Sequence, residues 1–319
     1  MVSYGKILVL CFFLICGSDS ASEYEKAKKQ FTAQLKLWRE ARPLRSEFLE
    51  LVGEDELKML FAEAIKKKLD PALFHRWLMS NQFFKVEEKV LRYYAEPRHS
   101  EKEDQRNKKN SSSVISVSGL EKQKNYYFEY KKFLSEIESE YGVNPAILVS
   151  LYYTETRFSK GSLPHRALDV FFSQLVYLRE FFQMNPTSSE DRLERLLRLA
   201  RFNLISLFEF YLRSGVESGK IRASWAGACG PLQFMPMNFK YYVDGNRDHS
   251  VELENPVDGL ASAALYLKSH GWNKDAEELF KRGKWDNEKL VGILKRYNPN
   301  TVYAKGVLKA AHYLYLGVR

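Results

Sequence analysis

Tyr141-Gly142-Val143-Asn144-Pro145-Ala146-Ile147-Leu148-Val149-Ser150-Leu151-Tyr152-Tyr153-Thr154-Glu155-Thr156-Arg157-Phe158 holds a helix stop, a helix start and a displaced carboxylate in one short stretch. Gly142 ends the helix before it, and Asn144-Pro145 caps and opens the next one. Ile147, Leu148, Leu151 and Tyr152 share a face, on which Glu155 falls four residues after Leu151. Two readings of Glu155 stand at this point. In the first it lies just past the buried part, solvated and paired with Arg157. In the second it is held against apolar walls, where desolvation disfavours the anion and lifts its pKa toward that of a working general acid.

Outward from this stretch the pattern is almost entirely helical. Upstream, Leu120 opens a run with Tyr126, Phe128, Tyr130, Phe133, Leu134 and Ile137. Downstream, Leu193, Leu196, Leu197, Ala200, Leu204 and Leu207 form a long stripe between Ser188 and Tyr211. Loops rich in Gly and Pro interrupt it from Gly215 to Pro236 and from Asp244 to Pro256. Residues 22–97 read as a separate helical region, with Leu57, Leu60, Phe61 and Ala64, then Asp70-Pro71 as cap and first turn before Leu73, Phe74, Trp77 and Leu78. Residues 98–119 are charged and Ser-rich, with almost nothing apolar before Val114, and are expected to be a flexible linker or surface insertion.

The amino-terminal residues 1–21 read as an export signal: Lys6 supplies charge, Ile7 to Cys16 an apolar run, and Ser18-Asp19-Ser20-Ala21 the small residues for cleavage. The run is too short for a spanning helix, which takes about 20 apolar residues, and no later uncharged segment is longer, so no transmembrane span is expected in the mature protein. Cys16-Gly17-Ser18 offers a point for a lipid anchor. Phe13-Leu14-Ile15 lacks the small residue usual before such a cysteine, which puts simple cleavage ahead. The chain's net charge is +9; removing the leader costs one base and one acid, so the exported body remains basic and suits an anionic polymer. Export to the periplasm, with outer-membrane anchoring as a variant, excludes nucleic acid as the partner. Cys229 is the only cysteine beyond the leader, so the mature chain forms no internal disulfide, and a monomer held by packing is expected.

Two distant segments raise the second reading of Glu155. The first block just quoted, through Glu155-Thr156-Arg157-Phe158, and Ser224-Trp225-Ala226-Gly227-Ala228-Cys229-Gly230-Pro231-Leu232-Gln233-Phe234-Met235-Pro236 resemble signature blocks of the family 3 lytic murein transglycosylases, the membrane-bound B type. Asn255-Pro256-Val257-Asp258 with Tyr266, Lys268, His270, Gly271 and Trp272 resembles the next family segment. Arg296-Tyr297-Asn298-Pro299-Asn300-Thr301-Val302-Tyr303-Ala304 resembles the closing one. The blocks follow family order over 141–304.

The resemblance implies a mainly α protein with an α+β lysozyme-like core: a helical amino-terminal unit, then a catalytic domain over 120–319 carrying a small inserted metal-loop subdomain at 244–258. It implies cleavage of the β-1,4 bond between N-acetylmuramic acid and N-acetylglucosamine in peptidoglycan glycan strands, leaving 1,6-anhydromuramic ends. Glu155 is then the single catalytic acid/base. Ser224, Gln233, Tyr266, Tyr297, Asn298 and Tyr303 match residues of the saccharide groove. A hydrolytic muramidase and a peptidoglycan-binding scaffold without turnover remain as alternatives.

No cofactor is required for that chemistry, but a structural calcium ion is implied. Asp244, Asn246 and Asp248 alternate as the first, third and fifth positions of a calcium loop do. The family match adds Asp258, at the fifteenth position, and the Ser250 carbonyl. His249 stands where Gly is usual, and Arg247 adds positive charge nearby. The chain also departs from the family at Ser159, where glycine is usual, at Pro231-Leu232, where Tyr-Gly is usual, and in a shorter span from Asn273 to Lys295.

Overall fold

The structure is a computed structural model that describes residues 51–96, 100–159, 162–184 and 189–319. The export segment with Cys16 and residues 22–50 of the amino-terminal region lie outside the described residues. Thirteen helices are followed here. They are α1 (Glu54–Lys66), α2 (Pro71–Ser80), α3 (Glu88–Ala95), α4 (Ser100–Val114), α5 (Val117–Glu129), α6 (Lys131–Tyr141) and α7 (Pro145–Thr156). Then come α8 (Ala167–Gln183), α9 (Glu190–Ser214), α10 (Pro256–Ser269), α11 (Lys274–Lys281), α12 (Glu288–Tyr297) and α13 (Thr301–Val318). Strands β1 (His165–Arg166) and β2 (Arg222–Ala223) pair antiparallel, His165 opposite Ala223. Among the described residues no helix is long and apolar enough to cross a membrane.

Local chemistry starts the helices where the sequence places their caps. Asp70 accepts from the backbone N–H groups of Ala72 (2.7 Å) and Leu73 (3.1 Å) ahead of Pro71. Asn144 accepts from Ala146 N–H at 3.0 Å to open α7. Its own N–H and side-chain amide donate to Glu277 of α11 at 3.2 and 3.1 Å, and Trp272 Nε1 donates to the same carboxylate at 3.1 Å. Start and orientation of α7 are thus set by a residue far along the chain.

Every residue of α7 from Pro145 to Tyr153 is buried. A helix apolar on all sides belongs at the centre of a core, and α7 sits among α4, α5, α6, α10 and α13. The same continuous core reaches α1–α3, through Phe61, Phe74 and Trp77, to the long pair α8 and α9.

Of the flexible linker or surface insertion expected at 98–119, the flexible-linker reading is corrected for the described residues 100–119. Residues 100–114 form α4, and α5 starts three residues later. α4 packs on α13 and α7, but without an apolar stripe, which is why periodicity misses it. At Gly306 an added Cβ would lie 2.1 Å from Ser111 Oγ and 2.9 Å from Ser111 Cβ, so the helices touch through their smallest residues. Asn300 donates to Asp104 at 2.8 Å, and Val114 is buried in a small cluster with Tyr153 and Ala310. Gly306→Val is expected to force the helices apart, costing about 1–3 kcal/mol through overpacking, offset only slightly by the better helix propensity of Val. Urea unfolding checks this: an unchanged midpoint would mean that α4 does not dock as described.

Candidate active site

α7 ends abruptly after Glu155. Arg157 and Phe158 both take left-handed backbone conformations, with φ of 56° and 59°, which side chains with a Cβ adopt rarely. Packing holds the turn: Phe158 stacks on Tyr126 with centroids 4.3 Å apart and meets Tyr152 edge-on at 4.9 Å. Arg157 does not pair with Glu155 among the described ion pairs. Its guanidinium donates to the Tyr153 carbonyl at 2.9 Å, to the Asn110 carbonyl at 3.3 Å and to Asn110 Oδ1, and lies 4.9 Å from the centre of the Tyr153 ring. The first reading of Glu155, solvated and paired with Arg157, is therefore not what the fold provides.

Glu155 is partly buried, and the buried Tyr303 at the start of α13 donates its hydroxyl to Glu155 Oε1. Burial pushes the carboxyl up to about 7, against the opposing pull of the Tyr303 hydrogen bond and the Arg157 charge, both of which favour the anion. Burial also drives the Tyr303 and Tyr297 hydroxyls well above their ordinary range, with the Glu155 charge acting the same way. Tyr303 is thus a neutral donor at any working pH.

The Gly-rich loop 224–236 is pinned beside this pair. Tyr297 donates its hydroxyl to the Leu232 carbonyl, and Phe234 packs edge-on against Tyr297 (5.5 Å), Tyr266 (5.8 Å) and Tyr242 (5.7 Å). Gly227 has φ 86°, and a Cβ there would lie 2.3 Å from the Phe171 ring, so both backbone and space require glycine. Within the loop, Ser224 Oγ accepts from Ala228 N–H at 3.2 Å. Gln233, at φ 52°, donates its amide to the Gly230 carbonyl at 3.0 Å.

The residues singled out by sequence fall into three groups. Glu155 and Tyr303 touch directly, while Tyr297, Ser224 and Gln233 belong to the adjoining loop and its anchor. Tyr266 is buried, stacks on His270 at 4.0 Å and donates to the Arg296 carbonyl at 2.6 Å. Asn298 accepts from Asn300 N–H at 3.1 Å, turning the chain into α13. The hydrogen bonds of these last two go to backbone groups. Asn110 was invisible in the sequence, since it lies in a polar run with no periodic signal.

Asp244–Ser250 folds as a tight loop. Asp244 accepts from Asp248 N–H (3.1 Å) and His249 N–H (2.7 Å), and Asp248 accepts from Ser250 N–H (2.8 Å) and the Asn246 amide (2.7 Å). His249 takes φ 70°, the conformation that favours Gly at that position of a calcium loop. An all-oxygen donor set suits a hard cation. Asp258 is buried beneath the loop and accepts from Gly245, Asn246 and Glu252 N–H. It therefore fastens the loop to α10. Among the described residues no three His, Cys, Asp or Glu side chains come together as a metal cluster.

The chain is similar to known proteins in sequence and in fold. The chain is 31% identical over 150 residues to membrane-bound lytic murein transglycosylase B of Escherichia coli (strain K12), a match spanning 47% of this chain and 37% of that relative's length. The fold resembles that of the E. coli lytic transglycosylase SLT35 in complex with calcium: 20% identity, 82% of this chain, 93% of that one, TM-score 0.59. It also resembles soluble lytic transglycosylase SltB1 from Pseudomonas aeruginosa, at 18% identity over 84% of this chain and 99% of that one, TM-score 0.60. The mainly α, lysozyme-like fold expected from the sequence is the one found. Residues 53–282, well over half of the sequence and including both Glu155 and the loop 224–236, match the family described as Transglycosylase SLT domain, and the chain belongs to that family.

Proposed function

We propose that this protein is a peptidoglycan lytic transglycosylase that cuts the β-1,4 bond between N-acetylmuramic acid and N-acetylglucosamine with Glu155 as its only acid/base. The observation that carries this is a partly buried carboxyl with its pKa pushed up to about 7, hydrogen-bonded by a neutral Tyr303 hydroxyl. The side chains that interact with it among the described residues, Tyr303, Tyr297 and Arg157, include no carboxylate. Near neutral pH such a group is protonated often enough to give a proton and ionised often enough to take one back.

In the forward step Glu155 transfers its proton to the glycosidic oxygen as the C1–O bond breaks. The substrate's own acetamido oxygen stabilises C1, in place of a second carboxylate. Glu155, now an anion held by the Tyr303 hydroxyl, takes the proton of the sugar's C6 hydroxyl while O6 bonds to C1. Water is not consumed, so the products total one water less than those of hydrolysis. Ser224 and Gln233 supply hydroxyl and amide groups to the saccharide, and Tyr266, Tyr297 and Asn298 act through the wall they build. Mass analysis of digested sacculi tests the reading: 1,6-anhydromuramic ends are expected, and reducing ends alone would mean a hydrolytic muramidase.

The basic sequence with its leader-like first 21 residues supports export to the periplasm, with simple cleavage ahead of lipid attachment at Cys16, and the relative's name, membrane-bound, is in keeping with the anchored variant. A structural calcium ion is proposed at Asp244, Asn246, Asp248, the Ser250 carbonyl and Asp258, in keeping with the calcium complex of SLT35. It would brace the loop next to α10 and supply no step of the chemistry. Millimolar calcium is expected to raise the melting temperature by about 2–4 °C, equivalent to roughly 1 kcal/mol for a domain of this size. Asp248→Ala should remove the calcium response, and a calcium-independent melting curve in the unaltered protein would dismiss the ion.

A further inference from the structure

Arg157 follows Glu155 by two residues, near enough for its charge to act on the carboxyl. Here every hydrogen bond of its guanidinium goes elsewhere, to the Tyr153 carbonyl and to two oxygens of Asn110. We propose that α4 is a positioning element of the active site, in which Asn110 holds the Arg157 guanidinium away from Glu155. Arg157 then braces the left-handed turn after the acid without ion-pairing to it. The inference rests on the reading of Glu155 as the proton donor.

Two contacts of α4 fix Asn110 in place. Ser111, its neighbour, sits against Gly306 of α13. Asp104, less than two turns earlier on α4, accepts from Asn300 at 2.8 Å. Asn300 in turn accepts from the N–H of Tyr303 at 2.9 Å to begin α13. One helix therefore registers both groups that act on Glu155, namely the Tyr303 hydroxyl that touches it and the Arg157 charge that is kept back. Asparagine suits this role because it accepts from a guanidinium without adding a negative charge beside an acid that must stay protonated.

The charged and titratable groups around this point are few. Tyr303 and Tyr297 approach from α13 and the end of α12. On α4, Asp104 is turned to Asn300, and Arg106, Lys108 and Lys109 are exposed; Glu254, ahead of α10, acts on Tyr152 of α7 and is met by the charge of Arg222. On the other helices packed against α7, Tyr126 of α5 stacks on Phe158, Glu138 of α6 faces Lys281, and Asp258 of α10 is bound to backbone N–H groups. Among the described residues Arg157 is the cation that acts on Glu155, and its release has a definite sign. Ion-pairing favours the carboxylate, lowers its pKa and removes the proton donor at a lower pH.

Asn110→Ala and Asn110→Asp test this. In Asn110→Ala the alkaline limb of the cleavage profile is expected to move down by about one pH unit, with kcat at pH 7 reduced and KM within twofold of the original. Asn110→Asp, which keeps the acceptor, is expected to hold the limb at or above its original position. In parallel, a ¹³C NMR titration of Glu155 reads its pKa whether or not strands are cut. A fall in Asn110→Ala supports the clamp. An unmoved titration overturns it, as does equal loss of kcat in both variants with the limb in place, which would mark a purely structural role. If the unaltered protein releases no anhydro ends, the proposed function fails, while the NMR result still decides the clamp.

Discussion

Glu155→Gln is expected to lower glycan strand cleavage by roughly 10³-fold, the scale of a lost general acid/base, while sacculus binding stays within a few-fold of the original. Glutamine keeps the shape and an oxygen for the Tyr303 hydroxyl but has no proton to give and cannot take one back. The same change should affect stability with a definite sign. The folded carboxyl titrates near 7 because burial penalises its anion, whereas in the unfolded chain it titrates near 4.3. The folded form therefore loses stability as pH rises from about 4 through 7, and the full penalty is present above that. Glutamine has no such penalty. Its melting temperature should exceed that of the parent by about 2 °C at pH 8 and match it at pH 4, a modest gain because solvent screens a partly exposed group. Normal cleavage by the variant would remove Glu155 from the chemistry, and an equal melting difference at both pH values would remove the burial argument.

Tyr303→Phe should reduce kcat by roughly 10–100-fold and shift its pH profile in the opposite direction to the Asn110→Ala change. The Tyr303 hydroxyl favours the Glu155 anion. Without it burial acts with less opposition, the carboxyl pKa climbs above about 7, and the alkaline limb moves up. The rate still falls, because the anion left after bond cleavage loses its donor in a poorly solvated site, a loss on the order of 1–3 kcal/mol. The experiment is a kcat–pH profile with soluble glycan strands. A limb that stays put or moves down would show that the hydroxyl does not act on Glu155. Because Phe fills the same space, the packing of Tyr303 in the core should survive, and the melting curve serves as the control.

The sequence by itself determined where the elements begin and what they carry. Asp70 and Asn144 cap helices as their residue types require, and the blocks around Glu155, Gln233, Tyr266 and Tyr303 pointed to the family and to a candidate acid. These are local properties: a cap needs one side chain and its nearest N–H groups, and a motif is read in order. Two things depended on tertiary structure. Residues 100–114 carry no apolar stripe, because their helix docks through Ser111 against Gly306 and through Asp104 and Asn110, contacts that hydrophobic periodicity does not register. The facing of Glu155 was likewise undecided: the stripe of Ile147, Leu148, Leu151 and Tyr152 suggested one buried face, but α7 is buried on every side up to Tyr153. A turn held by Asn110 and a hydroxyl 148 residues away on α13 choose it, and such long-range partners exist only once the chain has packed.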